Sequence, residues 1–145
     1  MSTPASPPPS PGYGAAIGVE TARRVAAAAI AEGKRRGWTV AVAIVDPGGD
    51  LVFFERIDDT QAASSQIAQD KARTATRFKR ATKVLEDGLA AGRHAILGLP
   101  GALPLEGGLP LIVDGKIVGA IGVSGVTSQQ DGVCAQAGVD ALARR

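Results

Sequence analysis

Two hydrophobic periods alternate along this chain. Ala22, Val25, Ala26, Ala29 and Ile30 recur at i, i+3, i+4, i+7 and i+8, which predicts an amphipathic helix over 19–35. Lys34, Arg35 and Arg36 load the negative end of its dipole, and Gly37 ends it. Trp38 to Val45 then reads as a mostly apolar strand, Asp46 to Asp50 as a turn, and Leu51 to Ile57 as the returning strand. A second helix is predicted over 62–79, where Ile67, Lys71, Thr74 and Phe78 share one stripe beside Ala68, Ala72 and Ala75. Residues 81–89 suit a short helix, and 91–108 a loop rich in Gly, Pro and Leu with room for a short strand. The period returns to a strand pattern from Glu106 to Gly125. Leu109–Val113 and Lys116–Val123 flank the turn pair Asp114-Gly115, a strong hairpin signal. Thr127 or Ser128 caps a last helix, with Gln130 or Asp131 three residues on.

The element order is α, β, β, α, loop, β, β, α. Two antiparallel hairpins with helices around them predict an α+β layered domain. A length of 145 residues suits one domain. Residues 1–16 are rich in Pro, Ser, Gly and Ala and read as a flexible arm, leaving 17–145 as the folded domain. Aromatic residues are 3% of the chain, so the core is built from Ala, Val, Ile and Leu. That scarcity also removes the stacking platforms of a single-stranded nucleic-acid binder. The net charge of +2 is mild, and the basic stretch from Lys71 to Lys83 reads as a solvated helix face, so no nucleic-acid partner is expected. No apolar run approaches the ~20 residues of a membrane span, and the first residues carry no secretory pattern. A cytoplasmic location follows as the default. Cys134 is the one cysteine, which excludes an internal disulfide and a Cys-rich metal site. It reads as a small buried apolar residue.

The pieces AVAIVDPGGDLVFFER, KARTA at 71–75, GGLPLIVDGKIVGAIGVSG and QDGVCAQAG at 130–138, in this order and spacing, resemble the GlcG/HbpS family. It is also called the haem-degrading or DUF336 family. The resemblance runs from Val19 to Ala143. It implies a profilin-like or roadblock-like α/β sandwich, with a central antiparallel sheet of about five strands and flanking helices, and a homo-oligomer. Some members bind haem, and one group is fused to cobalamin adenosyltransferases. Haem-binding relatives can carry a polar residue between the Gly-Gly pair and the Pro. Here that position is Leu109, which cannot ligate iron. Iron-associated members carry a Glu-x-x-Glu pair ahead of the KA motif. Here Gln66 and Gln69 stand there, and neutral amides are weak ligands for a hard cation. No metal site is expected.

His94 is the one imidazole, on the Gly-rich loop. A lone loop histidine reads as a solvated residue or, if the loop folds over a pocket, as an axial haem ligand or an acid. Lys71 interrupts an apolar stripe. Either its stem lies on the core with its ammonium in water, or the stripe is one wall of a pocket. In the implied family fold a cleft lies between sheet and helix. Lys71, Thr74 and Phe78 would meet Gly107, Gly108, Leu109 and Pro110 there, together with Ser124, Gly125 and Ser128. Backbone N–H groups at 125–128 and the Lys71 ammonium favour an anion, and Glu106 is the candidate acid or base. Alternatively Gly107 and Gly108 merely permit a tight turn. Two functions are therefore expected, beside a third reading as an assembly module without a ligand. One is binding of a small anionic ligand, haem or another tetrapyrrole among them. The other is cofactor-independent isomerisation, hydration or decarboxylation of a small carboxylate, with Glu106, Lys71 and His94 moving protons.

Overall fold

The computed structural model describes residues 10–144. Most of the expected arm lies outside that range, and the rest of it is put to use. Gly12–Tyr13 forms a short strand, β1, ahead of helix α1, Val19–Arg35. The first hairpin is β2, Ala41–Val45, and β3, Leu51–Arg56. Helices α2, Ser64–Arg77, and α3, Thr82–Ala90, follow. The predicted loop contains a 3-10 helix, His94–Gly98, rather than the short strand it had room for. The second hairpin is β4, Gly108–Val113, and β5, Lys116–Ser124, and α4 is Ser128–Ala143. The strand expected from Trp38 starts at Ala41, although Ile57 N–H still donates to Val40 O at 3.0 Å. Helix α2 stops at Phe78, because Lys79 turns to a φ of 55°.

Strand β5 organises the sheet. Strand β4 pairs antiparallel along one edge, from Gly108 opposite Gly122 to Val113 opposite Lys116. The other edge is shared: β2 takes Ala120–Ser124 antiparallel, and β1 takes Lys116–Ile117 in parallel. Strand β3 closes the far side of β2. The result is an α+β sandwich around a five-stranded sheet, antiparallel apart from β1. Side chains alternate between its faces. Val42, Ile44, Leu111, Ile121 and Val123 pack with Val25, Ala26, Ala29, Cys134 and Ala135 of α1 and α4. Ala41, Ala43, Val45 and Ala120 pack with Ala68, Ala72 and Ala75 of α2. The second face is nearly all alanine for a steric reason. A β-carbon on Gly122 would run into the Ala68 carbonyl oxygen, so α2 rests directly on the sheet backbone.

The outer edge of β4 is blunted. Gly108 N–H faces away from β5 and donates to Thr82 Oγ1 at 2.9 Å. Two residues on, with the same orientation, Pro110 has no N–H to offer.

Candidate functional site

The carboxyl end of β5, the start of α4 and the turn before β4 converge on Lys71. Its ammonium is not in water. The Lys71 and Asp131 side chains are 2% and 3% exposed and form an ion pair, Nζ to Oδ2, at 2.9 Å. The same ammonium donates to Val123 O at 2.9 Å. The turn seals it in. Gly107 has a φ of 131°, and a β-carbon there would be 2.6 Å from Val123 O and 2.8 Å from Lys71 Nζ. Glycine is needed at 107 both for that dihedral angle and for the contact. Gly107 O accepts from Val123 N–H at 2.9 Å, which closes the lid.

Asp131 also takes N–H groups at the start of the stretch that the sequence reading offered to a ligand. Val126 N–H donates to its Oδ1 at 3.1 Å. Thr127 and Gln130 form a reciprocal capping box. The anion at this helix start is therefore the chain's own carboxylate. Burial pushes the Asp131 carboxyl above its ordinary value, opposed by the Lys71 ammonium and by the N–H groups of Val126 and Gly125. Cys134, one turn on, is fully buried, and desolvation with the Asp131 charge pushes its thiol up to about 11.

Other expected site residues are anchors. Thr74, 1% exposed, donates to Asp70 O at 2.7 Å and accepts from Leu103 N–H at 3.0 Å, pinning the loop ahead of β4 to α2. Ser124 Oγ donates to Ser64 Oγ at 3.0 Å in the core. Leu109 packs on the α1–α4 core. Phe78, Pro110, Gly125 and Ser128 are half-buried. Glu106 is half-buried along α4, with Oε2 2.5 Å from where a β-carbon on Gly132 would be. Gln66 and Gln69 bond within α2, to Asp70 Oδ1 and Ser65 O. His94 is exposed on the 3-10 helix.

Lys71 therefore borders no open cleft among the described residues. None of Lys71, Glu106 and His94 forms an ion pair or side-chain hydrogen bond with another of the three. Of the residues that the sequence reading grouped, Lys71 lies against Gly107 and Gly108, whereas Thr74 bonds to Asp70 and Leu103. That reading missed Asp131 as the partner of Lys71 and Thr82 as the partner of Gly108. The signal for Asp131 was available: a lysine inside an apolar stripe is seldom fully buried without a counter-charge, and Asp131 sits in the first turn of the facing helix. An open groove of about 540 Å³ exists elsewhere, between α1 and α4, lined by Ala28, Ala31, Val133 and Ala137 with Arg35 and Arg144 at its ends. No helix among the described residues is long and apolar enough to cross a membrane.

Fold and site together define an α+β sandwich domain with a sealed ionic centre. The chain belongs to the family described as haem degrading protein HbpS-like, whose model matches residues 17–140. It is 41% identical to protein GlcG of Escherichia coli K12 over 105 residues, covering 72% of this chain and 78% of GlcG. Among solved structures, ORFY of Klebsiella pneumoniae, a DUF336 protein, superposes with a TM-score of 0.86 at 26% identity, covering 97% of this chain and 99% of ORFY. The PduOC:haem complex superposes with a TM-score of 0.77 at 30% identity, covering 87% of this chain and 94% of that one.

Proposed function

We propose that this protein binds haem, or a closely related tetrapyrrole, as a small anionic ligand, and that it does so as a homo-oligomer in the cytoplasm. The observation that carries the reading is the similarity to the PduOC:haem complex, at 30% identity over 87% of this chain. The donor set fits such a group. The chain has one histidine, and its imidazole is exposed, as an axial ligand must be before haem arrives. The sealed Lys71–Asp131 centre leaves the outer surface as the place where a flat macrocycle can dock. Bound haem would supply a redox-active iron. The protein would hold and orient the plane and keep water from one of its faces.

The test is titration of the purified chain with haem. A shifted Soret band that saturates at stoichiometric haem is the expected result, and a spectrum identical to haem in buffer rejects the reading. Native mass spectrometry of the same sample reports the assembly, and a monomer at all loadings rejects the oligomer.

A further inference from the structure

A 3-10 helix repeats every three residues, so side chains at i and i+3 stand over one another. In the segment His94–Gly98 this puts His94 and Leu97 on one side and turns Ile96 inward. Ile96 is 5% exposed, and its Cδ1 lies 2.7 Å from where a β-carbon on Gly88 of α3 would be. Ile96 is thus the foot that holds this short helix on α3. Leu97, by contrast, is 67% exposed, more than any other large apolar side chain among the described residues, and Leu99 is 36% exposed. The imidazole of His94 makes no hydrogen bond among the described residues; only its backbone N–H does, to Gly92 O. Arg93 beside it forms no ion pair with a described residue. One side of the segment therefore presents a free nitrogen donor beside an exposed leucine, and its two caps, Arg93 and Leu99, add an exposed guanidinium and a second exposed leucine.

Among the described residues, the cysteine sulfur, the phenol and the buried amine are committed or enclosed. Cys134 is fully buried. The Tyr13 hydroxyl donates to Thr76 O at 2.8 Å. Lys71 is held by Asp131 and Val123. At the hairpin, Leu109 has no donor atom and packs on the core. Resting on the haem reading above, we infer that the macrocycle docks on the 3-10 helix: His94 supplies an axial nitrogen, Leu97 and Leu99 meet the apolar plane, and Arg93 meets a propionate. The site is built from opposite chemistries that match an amphiphilic dianion with a metal at its centre.

The experiment compares wild type, His94→Ala and Leu97→Asp with two probes, haem and metal-free protoporphyrin IX. Both substitutions fall on exposed positions, and circular dichroism checks that each variant is folded. His94→Ala should lose the histidine-ligated haem spectrum, bind haem about tenfold or more weakly, and regain the spectrum with added imidazole. It should bind metal-free protoporphyrin as wild type does. Leu97→Asp should weaken both probes. Wild-type haem binding by His94→Ala, or undiminished porphyrin binding by Leu97→Asp, overturns this placement and leaves the haem reading standing. Failure of the wild type to bind haem rejects that reading itself.

Discussion

At the scale of single residues, Lys71 and Asp131 show how a charge pair is tolerated in a small core. The carboxyl is pushed up by burial despite a cation at 2.9 Å, and removing one partner would leave the other a buried, uncompensated charge. Lys71→Met removes the cation and should push the Asp131 carboxyl up further. Stability at neutral pH should fall by about 3–5 kcal/mol. The folded-state pKa would then lie further above the unfolded 3.8, so the native state binds the proton more tightly. The deficit should accordingly shrink as pH falls through the folded value towards the unfolded one. Lys71→Met with Asp131→Leu should recover most of the loss at neutral pH. Urea unfolding at pH 5 and pH 7 measures both effects, and equal deficits at the two pH values would contradict this account. Cys134 gives a second titration. Its thiol ionises near 9.0 in the unfolded chain and at about 11 in the fold. The stability it contributes is full below pH 9 and is lost as pH rises towards about 11. Wild type should therefore lose more stability between pH 9 and pH 11 than Cys134→Ala does.

At the scale of elements, the close seating of α2 on the sheet depends on one missing methyl group. Gly122→Ala would push a β-carbon into the Ala68 carbonyl. It should destabilise by roughly 1–3 kcal/mol or more, as overpacking does. An unchanged denaturation midpoint would show that α2 can lift from the sheet without cost. Local pattern served the elements well where both ends carry chemistry. Helix α1 has the bounds that its apolar period and basic last turn predict, and α4 begins on the Thr127–Gln130 box. Pattern failed where the decisive contact is distant. Strand β1 exists because Gly12 and Tyr13 pair with Lys116 and Ile117, and nothing near residue 12 announces that. The 3-10 helix was read as loop or strand because its inward residue, Ile96, is fixed by Gly88 rather than by its own period.

At the scale of the whole molecule, the two-hairpin α+β sandwich was legible because its turns and alternation are written locally. The candidate site was legible only as a neighbourhood. Lys71 does meet Gly107 and Gly108, but the apolar stripe around Lys71 calls only for some counter-charge, and the one it finds is sixty residues away. That pairing turned an expected cleft into a sealed brace and moved the ligand question to the surface. The β4 edge bears on assembly in the same way. With the Gly108 donor already taken by Thr82 and none at Pro110, an incoming strand finds no partner for its carbonyls along that stretch. The sheet cannot be lengthened from there by strand addition, which protects the chain against runaway polymerisation on that flank. Copies that associate on that side must do so through side chains, in contacts that a single substitution can tune.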